Sequence, residues 1–286
     1  MALAARSGDE QLVIFSQLCN VLDPGVAMAF AIVNSELWEL TQAERQQLQA
    51  DYEAATALGR EAGKESCKGL REAKKVSLQH KGLSSGDLAL LGKLGSVLPA
   101  LEELRLIEPA AGPDGVPRLA EKLGAGALPA VTYLNLYCTN VGDAGASALA
   151  AALGRGALPR LKFLNLARTA IGDAGLVALA PALRRLPALE LLDLSHNPLG
   201  DEGLAALVAP PPAAGAPPTT TGGLAQLKEL ILHGTQITGA GCAALPAALD
   251  SGALPALEGL NLYDIHASDA AKATVRRAGL EVVISP

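Results

Sequence analysis

The sequence predicts an α/β solenoid: about seven strand–turn–helix units sharing one parallel sheet, preceded by an α-helical module. Three observations carry this. A short motif recurs as VGDAG at 141–145, IGDAG at 171–175 and LGDEG at 199–203, at intervals of 30 and 28 residues. Around each copy the hydrophobic period changes. In LKFLNLARTAIGDAGLVALAPAL (161–183) apolar residues first alternate, and then Leu176, Leu179, Ala180 and Leu183 follow a helical spacing. Finally, 50% of the residues are hydrophobic but only 3% are aromatic, so a core must be built from Leu, Ala, Val and Ile.

Units can be started at Ala73, Leu101, Val131, Leu161, Leu189, Leu227 and Leu257, with spacings of 28, 30, 30, 28, 38 and 30. One strand and one helix cannot bury their own apolar faces, whereas stacked copies share a continuous core. In the unit from Val131, the side chains expected to point inward are Leu134, Leu136, Val141, Leu149 and Leu153. The unit from Leu101 carries Pro109, Pro113 and Pro117 in its turn, which predicts a short or shifted helix. The unit from Leu189 holds a Pro-rich insertion at 209–223, expected to be an extended or disordered surface loop. At the end, Gly279 can close a helix and Leu280–Ile284 can add a last strand.

Strand, Gly-rich turn and helix is also the context of a phosphate loop. Here no Gly-x-x-x-x-Gly-Lys-Ser/Thr motif is present, no turn carries a lysine placed to meet a phosphate, and the motif repeats. The aligned turn position reads Ser85, Pro113, Asp143, Asp173, Asp201, Gly239 and Asp269. Most of these are strong N-cap residues, so the column is expected to cap the helix of its own unit. Glycines two positions later, Gly115, Gly145, Gly175, Gly203 and Gly241, are expected to let each helix start lie close to its neighbour.

The units share the pattern L-x-x-L-x-L-x-x-N/T-x-I/L. On these residues, 73–286 resembles leucine-rich repeat proteins, specifically their long-repeat, ribonuclease-inhibitor-like branch. The resemblance implies a curved solenoid with strands on the concave side and helices on the convex side. In this register the third-position column facing outward is Lys75, Glu103, Tyr133, Phe163, Leu191, Glu229 and Gly259. The fifth is Ser77, Arg105, Asn135, Asn165, Asp193, Ile231 and Asn261, and the seventh is Gln79, Ile107, Tyr137, Ala167, Ser195, His233 and Tyr263. Four of the chain's eight aromatics, Tyr133, Tyr137, Phe163 and Tyr263, fall in these columns. With Leu191, and with Arg105, Asn135, Asn165, Asp193 and Arg168 as a rim, they form the candidate binding face for a partner protein.

Asp193, Ser195 and His196 suggest a hydrolase, but no G-x-S-x-G elbow accompanies them, and "LDLSHNPL" is itself an ordinary repeat. No enzyme activity, cofactor or metal is expected. His196 and His233 lie in adjacent units without a third ligand, and the four cysteines form no Cys-x-x-Cys pair, which suits a reducing compartment. A net charge of −6 argues against nucleic acid as a partner. No charge-free apolar run is long enough to predict a membrane span, and Asp9 and Glu10 precede the first apolar stretch with the wrong sign for a secretory signal. The expected location is cytoplasmic, with the nucleus as an alternative.

Residues 1–72 lack the repeat and read as a helical module. Leu12, Phe15, Leu18 and Leu22 recur at helical spacing, "LDPG" breaks the run, and a second stretch follows through Phe30, Val33, Leu37 and Trp38. Thr41 and Glu44 form a capping-box pattern before a long polar helix reaching about Arg60. Residues 60–81 are locally basic and read as a solvated face. The helix–"LDP"–helix–Trp arrangement over 10–41 resembles an F-box, although Asp9–Gln11 stand where that family has Leu-Pro. That resemblance implies binding to a Skp-type adaptor through Leu12, Phe15, Leu18, Leu22, Asp23, Pro24, Leu37 and Trp38. The alternative is a helical cap on the solenoid's open end. The expected function is therefore a protein-binding scaffold, with substrate reception for a cullin-type ubiquitin ligase as its sharper form. The alternative is direct regulation of a bound enzyme, of the GTPase-activating or ribonuclease-inhibitor type.

Overall fold

The structure is a computed structural model and describes residues 8–32, 35–209, 224–275 and 280–284. Val33, Gly279 and residues 210–223 of the Pro-rich insertion, all named above, lie outside the described residues. The described chain forms two compact bodies, one from residues up to 73 with 97–100 and one from 74–96 with 101 onward.

The first body is helical: α1 (Gly8–Leu18), α2 (Gly25–Ile32), α3 (Ser35–Leu40), α4 (Gln42–Glu61) and α5 (Cys67–Arg71). Phe15, Ala27, Ala31 and Leu48 are its buried cluster, with Leu18, Cys19, Val21 and Phe30 packed against them. The Thr41–Glu44 capping box does not form. The Thr41 hydroxyl donates instead to the Leu37 carbonyl at 2.7 Å and accepts from Arg45 Nε at 3.2 Å. The reason is local: α3 runs almost directly into α4, and the Thr41 amide already bonds Leu37 O. The Thr41 amide, one of the two donors a box would satisfy, is therefore already used, and its hydroxyl is turned to Leu37 and Arg45.

The second body is a strand–turn–helix stack. Its strands are β1 (Lys75–Ser77), β2 (Glu103–Arg105), β3 (Tyr133–Asn135), β4 (Phe163–Asn165), β5 (Leu191–Asp193), β6 (Glu229–Ile231), β7 (Gly259–Asn261) and β8 (Glu281–Val283). They form one parallel sheet in sequence order, and each pairs its neighbour at the same position of the unit, for example Tyr133 with Phe163 and Phe163 with Leu191. Positions four and six are buried in every unit, from Val76 and Leu78 to Leu260 and Leu262. Positions three and five must then face away from the core. Beyond the strands the ladder continues: Leu166 N–H donates to Asp193 O, and Arg168 N–H to Ser195 O. The chain leaves the sheet through a left-handed residue at position eight: His80, Cys138, Arg168, His196, Gly234 and Asp264 all have φ between 53° and 65°.

The helices are α6 (Ser85–Leu94), α7 (Gly115–Lys122), α8 (Gly142–Gly154), α9 (Asp173–Leu183), α10 (Asp201–Leu207), α11 (Gly239–Asp250) and α12 (Asp269–Ala273). The prolines of the second unit give a 3-10 turn at Pro109–Ala111 and hold α7 to eight residues. In that unit Glu108, only 2% exposed, does the work of a turn. Its carboxylate accepts Lys81 N–H at 2.7 Å, Gly82 N–H at 2.8 Å and Ala110 N–H at 3.1 Å. In the fifth unit buried Asn197 has a related role. Its Oδ1 accepts Thr169 N–H and Ile171 N–H, while Nδ2 donates to the carbonyls of Leu166 and Leu194.

The aspartate column does not cap its own helices. The N-caps are Ser84, Asp114, Val141, Gly172, Gly200, Thr238 and Ser268, one residue before the expected position in all but the second and third units. Three of the aspartates reach into the next unit instead. Asp143 accepts Gly172 N–H at 2.7 Å; Asp173 accepts Gly200 N–H at 2.7 Å and Gly203 N–H at 2.8 Å; Asp201 accepts Thr238 N–H at 2.8 Å and the Thr238 hydroxyl at 2.6 Å. These are the acceptors that a helix start lacks, supplied by a neighbour. The recurring glycines now have a cause. A Cβ on Gly175, Gly203 or Gly241 would run into the carboxylate of Asp143, Asp173 or Asp201 respectively.

Replacing Asp173 with Ala removes both bonds, and we expect a loss of about 1–3 kcal/mol in urea unfolding. Gly203→Ala is expected to cost a similar amount through the same carboxylate. The double variant should lose less than the sum, because without the carboxylate the added methyl has room. Additive losses would mean that the two residues do not act on each other.

Candidate protein-binding face

Tyr133 and Phe163 stack on the outward sheet face, with ring centroids 4.4 Å apart and planes 15° apart, and Leu191 follows on the next strand. The parallel register puts the three side chains at one height on adjacent strands, half-buried. Arg105 lies over the Tyr133 ring, 5.2 Å from its centroid. Glu103 holds that arginine through a 2.5 Å contact from Nε and also takes Lys75 Nζ at 2.8 Å. The Lys75 hydrogen bond, followed by Arg105, keeps the Glu103 carboxyl below the usual range, with burial opposing the shift. The flank on the β1 side is thus closed on itself.

The polar rim behaves differently from a free recognition edge. Asn135 Oδ1 accepts Tyr137 N–H at 2.8 Å, Asn165 Oδ1 accepts Ala167 N–H at 2.9 Å, and Asp193 Oδ1 accepts Ser195 N–H at 3.0 Å. Asn261 repeats the pattern with Tyr263 N–H at 3.0 Å. In each case the side chain ties down the amide two residues on, as short polar side chains do at turns. Asn135 is itself buried. Tyr137 and Tyr263 are exposed, but three units lie between them, and buried Ala167 and Ser195 occupy the same column there. Tyr263 is therefore not part of the Tyr133–Phe163–Leu191 cluster. Arg168 is exposed at the left-handed position of the fourth unit.

A further column of the repeat is charged. Position two carries Lys74, Glu102, Thr132, Lys162, Glu190, Lys228 and Glu258, a near-alternation of sign along the edge of the sheet. Lys74 meets Glu102 at 2.9 Å, and Glu190 sits between Lys162 at 2.8 Å and Lys228 at 3.2 Å. Those two lysines lower the Glu190 pKa, Lys162 the more strongly. Such exposed pairs each contribute little to stability and serve better as a register check between units.

The histidine region forms a polar cleft of about 390 Å³ lined by residues including His196, Gly234, Gln236, Asp264 and His266. His196 and His233 meet edge to face with centroids 4.5 Å apart. The Ser195 hydroxyl donates to Asp193 at 2.6 Å, so the serine and aspartate of the apparent triad are joined to each other. Among the described residues no group of three or more His, Cys, Asp or Glu is placed to hold a metal ion.

In the helical body the F-box-like residues divide. Phe15 and Leu22 are buried, and Phe15 belongs to the body's own core; Leu12, Leu18 and Pro24 are half-buried. Leu37 is buried and Asp23 exposed. Trp38 is exposed, with the Arg45 guanidinium 3.2 Å from its ring centroid and a bond from Arg45 to Trp38 O at 2.5 Å. Val13, Val26, Ile32 and Leu40 are exposed on the same body and were not singled out from the sequence.

Comparison with known families matches a leucine-rich repeat model at residues 128–150, 158–180 and 186–208, windows that begin 30 and 28 residues apart, as the turn motif does. These three windows match the leucine-rich repeat model, and the remaining units share their strand register. A comparison with curated proteins finds no match. Among solved structures, an internalin C2 from Listeria monocytogenes is similar at 19% identity and TM-score 0.45, over 82% of this chain and 92% of that one. An internalin from the same organism is similar at 16% identity and TM-score 0.33, over 73% and 66%. At these values neither carries a functional argument. No described helix of either body is long and apolar enough to cross a membrane.

His196 offers a pH test of the cleft. Burial first, then His233 and Arg168, lower its pKa below 6.5, against the opposing pull of Asp264 and Asp193. Below about pH 6.5 the unfolded chain binds a proton here that the folded chain does not. This contribution to stability is present above that pH and fades as the pH falls through the folded value. An NMR titration should find His196 titrating below the ordinary histidine range, and His196→Gln should remove part of the stability loss under mild acid.

Proposed function

We propose that this chain is a protein-binding scaffold whose concave sheet face holds a partner protein over the Tyr133–Phe163–Leu191 cluster. The stack of Tyr133 on Phe163 carries this reading. Aromatic side chains are scarce in the sequence, and two of them sit together, half-exposed, on a sheet face that the core does not need. Aromatics of this kind are the usual anchors of protein interfaces. Arg105 adds a cation at the edge of the cluster. The Asn and Asp side chains of column five hold the strand exits in place and are supporting rather than contacting groups.

The test is a pair of variants on the full chain. Tyr133→Ala with Phe163→Ala should weaken capture of partners by at least about tenfold while leaving the melting temperature within a few degrees, since the side chains lie outside the core. Retention of every partner at wild-type level would overturn the proposal.

A second reading concerns the helical body, residues 1–72, as a module distinct from the repeats at 73–286. The exposed side chains Val13, Val26, Ile32, Trp38 and Leu40 favour it as a second docking surface, and the F-box-like reading makes a Skp-type adaptor its partner. In that reading the concave face receives the substrate of a ubiquitin ligase. Because Phe15 and Leu22 are core residues, contact must fall to Trp38 and its exposed neighbours. Recombinant Skp-type adaptor should co-elute with the full chain and lose it on Trp38→Ala with Val26→Glu. No co-elution of the wild type would end this reading and leave the concave-face proposal standing.

A further inference from the structure

We infer that Gly259 is the floor of a notch that takes a lysine or arginine side chain of the partner, held between Glu229 and Glu281. The inference rests on the concave-face reading and names the chemistry of what that face binds.

The third-position column crosses the sheet as Lys75, Glu103, Tyr133, Phe163, Leu191, Glu229, Gly259 and Glu281, each paired in register with the next. Gly259 alone among them has no side chain, and nothing in the fold asks for glycine there. It is absent from the residues with positive φ, and a Cβ would meet Glu229 Cγ at 3.5 Å and Lys228 O at 4.0 Å, which are ordinary contacts. The gap therefore differs from Gly175, Gly203 and Gly241, where an aspartate fills the space.

The flanking charges are the second observation. Glu229 and Glu281 are exposed, and among the described residues neither carboxylate has a partner. The other acids of the face are satisfied: Glu103 by Lys75 and Arg105, and Asp193 by the Ser195 amide and hydroxyl. Two like charges on either side of an empty position favour a cation between them. The face is read as holding a protein, so the cation suited to the notch is a side chain of that partner.

Spacing then links the notch to the aromatic cluster. Gly259 is two strands from Leu191, or about 10 Å at the usual strand separation. An extended partner crossing the strands advances about 3.3 Å per residue, so the cation should lie three or four residues from the side chain resting on Leu191.

The experiment is selection from a phage-displayed random peptide library on the immobilised full chain. Selected peptides are expected to carry Lys or Arg three or four positions from an aromatic or aliphatic residue. Glu229→Gln with Glu281→Gln should weaken them about tenfold, and Gly259→Leu, which fills the notch, should do the same. Glu229→Lys with Glu281→Lys should turn the selection toward Asp or Glu at that position. The glutamine pair is isosteric and exposed, so an unchanged melting curve separates lost binding from lost fold. Peptides that depend on Tyr133 and Phe163 but show no cationic preference, and are indifferent to the glutamine pair, would overturn the notch alone. Peptides indifferent to Tyr133→Ala with Phe163→Ala, or no enrichment at all, would overturn the concave-face reading and the notch with it.

Discussion

The central repeats depend on one constraint: the starts of α9, α10 and α11 present backbone donors that are met from the unit before. Asp143, Asp173 and Asp201 supply the missing acceptors across the boundary between units. Glu108 and Asn197 do comparable work at the strand exits, both spanning two units. A buried or half-buried amide without a partner costs about 1–3 kcal/mol, so a unit displaced from its neighbour loses more than apolar contact. Hydrophobic burial alone would tolerate some sliding between units. The carboxylate bonds do not, and they fix the spacing at which Tyr133 stacks on Phe163.

The sheet face built on that spacing is uneven. Toward β1 its charges close into the Lys75–Glu103–Arg105 group. The centre is apolar, and the side toward β8 carries acids around a position without a side chain. Aromatic stacking is worth roughly 0.5–1.5 kcal/mol beyond burial, so the Tyr133–Phe163 pair also stiffens the sheet it decorates. Rigidity of this kind reduces the ordering cost of binding, and the two roles do not compete.

Much of this was legible in the sequence because the two hydrophobic periods are strict. Alternation located every strand, and the pairing register followed from aligning the units. What the sequence concealed were interactions between one unit and the next. Asp173 sits where a cap belongs, and capping rules are written for a single helix, so its bond to Gly203 of the following unit was invisible. The same holds for Asn135 and Asn165, whose types suit recognition but whose side chains secure a nearby amide. The position-two charges could have been read by aligning one more column. In the helical body Phe15 and Leu22 share the periodicity of their neighbours, and periodicity cannot say which apolar side chains face inward when several short helices compete for one small core. Thr41 shows the limit of local motifs: the box pattern is present, but the preceding helix already holds the Thr41 amide and hydroxyl.

The aspartate bonds between units, unlike those of Glu108, also have an arrow. Each runs from an aspartate to the unit that follows it, never to the one before. A segment ending after any of these units keeps its caps and leaves only a spare carboxylate in water, whereas a segment beginning there starts with bare amides. Growth of the stack from its third unit to its sixth is therefore templated, with each aspartate in position before the helix that needs it is made. A chain synthesised in the same direction meets those acceptors in the order in which it requires them.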